Sequence, residues 1–162
     1  MKKIFFYTLT AIAFLTTACN SGSKESDTAD IQISDKESTA SFNVDGKIYK
    51  GKVSTQYFGS NKETDNFSVL CQQDEPLVLL QAVFANEKDA QSAGLKPNGS
   101  SYNVAAGNFG LELTIAGEPK MFIANPKSGG TLTVEGNKMT ITDMKLFDMD
   151  GKEKTVSGTI DF

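Results

Sequence analysis

The chain has 162 residues and a formal net charge of −4, which leaves room for one domain and a tail. All 16 basic residues are lysine, and this acidic, arginine-free composition argues against a nucleic-acid-binding face. The absence of histidine excludes Ser-His-Asp and Cys-His catalysis and histidine metal ligands.

The N-terminus has the layout of a secretory signal. Lys2 and Lys3 form a positive n-region, residues 4–15 are almost wholly apolar, and the small residues 16–18 precede Cys19. The apolar stretch is too short to span a bilayer, which requires about 20 residues. We therefore predict a signal peptide over residues 1–18.

Cys19 is the predicted lipidation site. Ala18-Cys19 resembles the end of a lipobox, whose cysteine is diacylated and becomes the first mature residue. The motif departs from the usual pattern because Thr16 stands where leucine is usual, with Leu15 one residue further back. Two acyl chains hold a protein on a membrane without a transmembrane helix. Asn20, in place of aspartate, favours the outer membrane of a Gram-negative cell. The alternative is simple secretion with Cys19 as a thiol.

Residues 19–38 are predicted to form a flexible tether. The segment is rich in serine and charged residues, and Ile31 and Ile33 are its only large apolar side chains, too few to build a core. Within it, Asp27-Thr28-Ala29 resembles the short acceptor triplet of periplasmic O-glycosylation in some bacteria. Whether this triplet is glycosylated stays open.

The predicted domain, residues 39–162, begins with a β-hairpin. Phe42 and Val44 alternate with polar residues, and Asp45-Gly46 is a two-residue turn signal that requires positive φ. The turn pairs Val44 with Lys47 and Phe42 with Tyr49. A cross-strand aromatic pair of this kind stabilises a sheet by roughly 0.2 to 1 kcal/mol.

The middle of the domain contains the most apolar strand and the one predicted helix. A strand over 66–72 leads through a turn at 74–76 into residues 77–84, which are apolar on both faces and predict a central, doubly covered strand. Residues 86–93 predict a helix of about two turns, capped by Asn86 and stopped by Gly94.

The second half alternates again, with one break in phase. Residues 109–115 alternate cleanly, and Met139 and Ile141 face inward, but Met144 falls on the opposite parity. A bulge near Thr142-Asp143 would restore the register. The last inward stripe consists of Val156, Gly158, Ile160 and Phe162.

These patterns predict an all-β fold. The first choice is an antiparallel β-sandwich of about eight or nine strands with one short helix, and the alternative is a β-barrel. Cys71 is the only cysteine besides Cys19, so no internal disulfide forms once Cys19 is acylated. Because Cys71 alternates in phase with Phe67 and Val69, we expect it to be buried and inert.

The turn Asp148-Met149-Asp150-Gly151, followed by Glu153, resembles the start of a calcium loop. The residues after it predict a strand instead of further ligands, so we interpret it as a hairpin turn. No phosphate-binding loop, dinucleotide fingerprint or nucleophile elbow occurs. The sequence therefore predicts no catalytic, cofactor or metal site. A carboxylate-based hydrolase remains a third hypothesis, because paired carboxylates act through space and need no fixed spacing.

Two segments resemble a group of small all-β bacterial lipoproteins of unknown function. They are the opening strand at 42–47, FNVDGK, and the closing strand at 156–162, VSGTIDF. The resemblance covers most of residues 39–162 and implies a lipid-anchored all-β domain. It transfers no functional residue, since that group has no established activity.

The predicted function is that of a non-enzymatic envelope lipoprotein, a binding or structural module on the periplasmic or surface face of the membrane. Its expected partner is an envelope protein or a glycan, and not a nucleic acid. The alternative is a protective or inhibitory lipoprotein that binds a toxin or hydrolase through an acidic face. An exposed apolar patch with an acidic rim would favour a protein partner, whereas exposed Tyr57, Phe58 or Tyr102 in a groove would favour a glycan.

Overall fold

The computed structural model describes residues 39–162, so the predicted signal peptide, Cys19 and the tether lie outside the described residues. The described chain forms ten strands and one helix. They are β1 (Thr39–Val44), β2 (Lys47–Tyr57), β3 (Phe67–Gln73), β4 (Val78–Phe84), α1 (Glu87–Ala90), β5 (Lys96–Pro97), β6 (Asn108–Ile115), β7 (Phe122–Ile123), β8 (Thr131–Glu135), β9 (Lys138–Phe147) and β10 (Glu153–Asp161).

Eight strands form a closed barrel. Their order is β10-β1-β2-β3-β4-β6-β7-β9, and β9 pairs back with β10. The all-β prediction and the single short helix are confirmed, and the architecture is the barrel alternative instead of the sandwich. The reason is that β10 pairs along both edges, with β1 and with β9, and β7 bridges β6 to β9. β8 adds to β9, and β5 forms a short parallel pair with β6.

The first hairpin has the predicted register. Phe42 pairs with Tyr49 and Val44 with Lys47, and the two rings stack with their centroids 5.7 Å apart. Asp45 and Gly46 have φ angles of 51° and 89°, as a primed turn requires. Turn chemistry and alternation together therefore determine this part of the barrel wall.

The predicted bulge in β9 is confirmed. Met144 pairs with Val156 and Ile141 with Gly158, so Thr142 and Asp143 together oppose a single residue of β10. Asp143 adopts a φ of 46°, and its N–H donates to Ser157 Oγ at 2.9 Å. The extra residue returns Met144 to the inward face, where it is buried.

Side chains fill the barrel interior. Phe67 lies within ring-contact distance of Tyr57, Phe84 and Phe162, at 5.2 to 6.4 Å between centroids. The interior of an eight-stranded barrel is just wide enough to be filled by such side chains. Further fully buried members are Phe42, Leu80, Phe109, Leu111, Leu113, Phe122, Met139, Ile141, Met144, Leu146 and Ile160.

The helix is shorter than predicted. It comprises only Glu87–Ala90, and Gln91 already forms its C-cap. Asn86 is the predicted N-cap, and its side chain accepts from Asp89 N–H at 2.8 Å. The single turn places Ala90 in the core. A longer helix would need apolar contacts to stabilise it, and residues 91–94 make none because they are all exposed.

At Gly158 the strands β10 and β1 approach each other closely. A Cβ added there would lie 2.7 Å from Phe42 Cβ and 2.9 Å from Ser41 O.

We expect Gly158→Ala to lower the free energy of unfolding by about 1–3 kcal/mol, because strands that close the barrel must move apart. Gly129→Ala is the matched control, since a Cβ added at Gly129 would meet no atom within 4 Å. Urea unfolding of both variants provides the test, and equal stabilities would contradict a tight closure at Gly158.

Candidate binding surface

Four turns form one end of the barrel, which we call the apical end. They are the segments 45–46, 74–77, 116–121 and 148–152, together with the strand residues that adjoin them. The antiparallel order of the strands brings these turns to the same end. One hydrogen bond connects the first turn to the wall, from Asp45 N–H to Thr155 O at 3.0 Å, and another connects two turns, from Ala116 N–H to Leu77 O at 2.8 Å.

Ion pairs connect the apical turns to one another. Lys154 of β10 lies 3.0 Å from the Asp45 carboxylate and 3.8 Å from that of Glu118. Lys152 binds Glu118 at 2.6 Å, and Lys120 bonds to the Asp150 carboxylate. Single exposed pairs contribute little to stability, but a connected set fixes the positions of the turns relative to one another.

The charges of this network shift one another's pKa values. Burial alone would raise the pKa of the Asp45 carboxyl, but the Thr155 N–H and Lys154 hold it below its ordinary value. The hydrogen bond from Lys152 lowers the pKa of Glu118, and the hydrogen bond to Asp45 raises the pKa of Lys154. All these groups are therefore charged at neutral pH.

One exposed large apolar side chain lies in each apical turn or within two residues of it. Among the described residues six such side chains are exposed, and four of them are apical. The apical four are Ile48 at 64%, Leu77 at 41%, Met121 at 45% and Met149 at 92% exposure. Such residues have no role in the core, and at the apical end they are available for contact with another molecule.

The turn that carries Met149 is closed by hydrogen bonds to Asp148. Asp148 Oδ1 accepts from the N–H groups of Asp150 and Lys152 at 2.9 and 2.8 Å. Its backbone exchanges bonds with Lys152 O and Gly151 N at 3.0 and 3.1 Å. The oxygen that a calcium loop would use thus serves the turn itself, as the hairpin interpretation predicts. Met149 projects from a closed turn.

Acidic groups outnumber lysines at the apical end. The turns, the adjoining residues and their ion-pair partners contain Asp45, Asp74, Glu75, Glu118, Asp148, Asp150 and Glu153 against Lys47, Lys120, Lys145, Lys152 and Lys154. Seven carboxylates against five ammonium groups leave an excess of two negative charges. Within residues 39–162, Asp74, Glu75 and Asp148 form no salt bridge. The apolar side chains are therefore bordered by carboxylates whose charge can attract a basic surface.

Of the three aromatic residues that would favour a glycan, one is buried and two are exposed at the end opposite the apical turns. Tyr57 is buried, and its hydroxyl donates to the Glu87 carboxylate. Burial, followed by this bond, raises the pKa of Tyr57 to about 12. Phe58 and Tyr102 are exposed, but they follow β2 and precede β6 at the end opposite the apical turns. Two surface grooves of about 520 and 690 Å³ have no aromatic ring in their linings.

The polar groups buried in residues 39–162 are partnered within the protein. Among the described residues, every buried side-chain nitrogen and oxygen has a hydrogen-bond partner. Cys71 is fully buried and free, as expected, and burial raises its pKa to about 11. A thiol with that pKa is a poor nucleophile at neutral pH. No group of three potential metal ligands occurs within residues 39–162.

The apical residues were not predicted from the sequence, although one signal was present. Ile48 lies between Lys47 and Tyr49, which the hairpin register puts on the inward parity, so Ile48 had to face outward. For Met149 the only signal was its position inside the Asp-x-Asp-Gly turn. Cys19 and Asp27-Thr28-Ala29 lie outside the described residues.

Comparison with protein-family models, with curated proteins and with solved structures finds no match to this chain. Within residues 39–162, the helix is neither long nor apolar enough to cross a membrane.

The Asp45–Lys154 pair makes the stability of the apical end depend on pH. Because the folded pKa of Asp45 lies below its unfolded value, its charge stabilises the fold above about pH 4 and ceases to do so as the pH falls through the folded pKa. We expect Asp45→Asn to cost about 0.2 to 1 kcal/mol at pH 7 and almost nothing near about pH 2. Asparagine keeps the Oδ1 acceptor for Thr155 N–H and tolerates the positive φ.

The control is Asp161→Asn, since Asp161 is exposed and outside the ion-pair network. Chemical denaturation of both variants across this pH range tests the assignment. A cost for Asp45→Asn that is unchanged at low pH would show that the pair is not its source.

Proposed function

We propose that this chain is a membrane-anchored envelope lipoprotein whose barrel is a non-enzymatic binding module for a protein partner. The observation that carries the proposal is the apical end, where each of four turns presents or adjoins one exposed apolar side chain. The ion pairs around Lys154 and Glu118 fix three of these turns in place, and the hydrogen bond from Ala116 N–H to Leu77 O joins the fourth to its neighbour. Rigid presentation lowers the entropic cost of binding.

The described chain begins at Thr39, at the end of β1 away from the Asp45-Gly46 turn. Five residue steps at 3.2–3.4 Å separate Thr39 from Val44, about 17 Å. Thr39 lines a surface groove with Asp74 of the apical turn 74–77, so a lipid anchor at Cys19 would join the barrel on the side of this turn.

A protein is favoured over a glycan or a membrane surface as the apical partner. The apical side chains are aliphatic or thioether groups and not the aromatic rings that stack on sugars. Anionic lipid headgroups would meet an excess of carboxylates at this end. An apolar patch with an acidic border suits a protein with the reverse charge.

A protective or inhibitory lipoprotein is the second candidate. The turn around Met149 favours it, because a projecting side chain on a hydrogen-bonded turn resembles the way a rigid loop enters a cleft of a toxin or hydrolase. The net charge of −4 would speed encounter with a basic protein of this kind.

The anchor makes a direct prediction. Replacing Cys19 by serine removes the acylated sulfur, so the protein should no longer incorporate a labelled fatty acid or fractionate with membranes. Metabolic labelling and the mass of the mature N-terminus measure both effects. Ser23→Ala is a control inside the predicted tether. Recovery of the Cys19→Ser protein in the membrane fraction with an unchanged mass would contradict lipid anchoring.

The binding surface makes a second prediction. In native membranes, chemical cross-linking of the lipidated wild type should give a discrete adduct with a protein partner. The variant Ile48→Ser/Leu77→Ser should lose this adduct, because the apical contact loses two apolar groups. The matched control is Phe58→Ser/Tyr102→Ser, which alters two exposed rings at the other end. An adduct lost only in the control variant would overturn the apical assignment.

A further inference from the structure

We propose that residues 33–38, which directly precede β1, continue that strand and bind an unpaired edge of β2. Strand β2 is 11 residues long, whereas β1 pairs with it only as far as the Thr39–Lys52 pair. Within residues 39–162, no strand pairs with β2 beyond Lys52 on the side of β1. We call residues 53–58 on this side the open edge. The inference goes beyond the proposed function and does not depend on the apical partner.

The open edge presents backbone hydrogen-bonding groups. On the β3 side, Phe58 N–H donates to Asn66 O at 2.9 Å. Neighbouring residues of an antiparallel strand direct their N–H and C=O groups to opposite sides, so those of Val53, Thr55 and Tyr57 point to the β1 side. These groups have no strand partner within residues 39–162. Strand edges of this kind bind another extended segment.

The chain that enters β1 is already positioned to occupy the open edge. From the Val44–Lys47 pair to the Thr39–Lys52 pair, each step back along β1 matches one step forward along β2. The same register, continued past Thr39, pairs residues 33–38 with residues 53–58. Because this segment is covalently joined to β1, its effective concentration at the open edge exceeds that of a separate molecule.

The outward side chains of this register complement one another. Ile33 would lie opposite Phe58, whose ring is exposed and would be partly covered by the contact. Glu37 would lie diagonally across from Lys52, on the same face of the sheet. Apolar pairs and pairs of opposite charge at such cross-strand positions stabilise a sheet.

The inward side chains of this register are small or have a counter-charge. Ser34, Lys36 and Ser38 would share the face of Val53, which packs against the core. Lys36 is the only charged residue among them. The carboxylate of Glu87, which accepts from the Tyr57 hydroxyl, supplies a negative charge on this side of β2. Both faces of the added strand therefore meet compatible groups.

Pairing of this segment changes where the anchor joins the barrel. Residues 19–32 alone would remain as the tether, and they would leave the barrel beside Phe58 instead of at Thr39. Phe58 follows β2 at the end opposite the apical turns. A lipid on Cys19 would then hold this end towards the membrane and the apical turns away from it.

A disulfide tests the register in the purified full-length protein. Glu37 and Ser54 would occupy opposite, non-hydrogen-bonded positions, whose Cα atoms lie about 4.5 Å apart, a separation that a disulfide spans. The matched control is Asp30→Cys/Ser54→Cys, whose first thiol lies outside the paired segment. In dilute protein under mild oxidation, we expect Glu37→Cys/Ser54→Cys to form its intramolecular disulfide at least about tenfold faster than the control. Mass spectrometry of the linked peptides measures both rates.

Hydrogen exchange tests the pairing itself. Lys36→Pro removes the N–H that the register directs to Thr55, and proline is excluded from paired strand positions. We expect the amide protection factors of Val53, Thr55 and Tyr57 to fall at least about tenfold in this variant. Ser26→Pro, within residues 19–32, is the control and should leave them within about twofold of wild type.

Three results would overturn the inference. The first is equal disulfide rates for the two cysteine pairs. The second is the same amide protection at the open edge in wild type and Lys36→Pro, which would exclude residues 33–38 as its partner. The third is a disulfide that joins two chains, which would assign the edge to a second copy. Each of these results leaves the proposed function standing, because the cross-linking of Ile48→Ser/Leu77→Ser tests that function separately.

Discussion

Pairing of β10 along both of its edges is the interaction on which the rest of the structure depends. Without it, β1 and β9 would each end a sheet, and the barrel would be an open, curved layer with two unpaired edges. The close approach of Gly158 to Phe42 is possible only because glycine lacks a side chain. The same strand supplies Lys154 and the carbonyl of Thr155 to the Asp45 turn. Barrel closure and apical geometry therefore have a common source.

The barrel divides its residues into two sets with different tasks. The inward side chains form one apolar core, and Cys71 and Tyr57, which a sequence reader could take as reactive or exposed, belong to that set. Their raised pKa values follow from burial. The outward set contains the charges and the few exposed apolar groups. The interior is occupied by side chains of the protein itself, and on the surface the apical turns carry or adjoin four of the six exposed large apolar side chains among the described residues.

Much of the fold could be predicted from the sequence, because local chemistry determines it. Asp45-Gly46 determines the hairpin register, the parity break before Met144 locates the bulge, and Asn86 caps the helix. Barrel and sandwich could not be separated, since both require the same alternation and differ only in which strands meet at the edges. The helix was predicted too long because exposed residues after Gln91 have the composition of a helix but no apolar face to pack. Met149 could be placed in a turn, but its exposure depends on the neighbouring turns, which no local pattern describes.

A binding role for the apical end requires that this end is covered in the native envelope. Hydroxyl-radical labelling of methionines measures this directly, with buried Met139 and Met144 as internal references. Labelling in intact cell envelopes is compared with labelling of the purified protein. We expect Met149 and Met121 to be protected in the envelope, while Tyr102 is labelled equally in both preparations. Equal labelling of Met149 in both preparations, with protection of Tyr102, would contradict a binding role for the apical end.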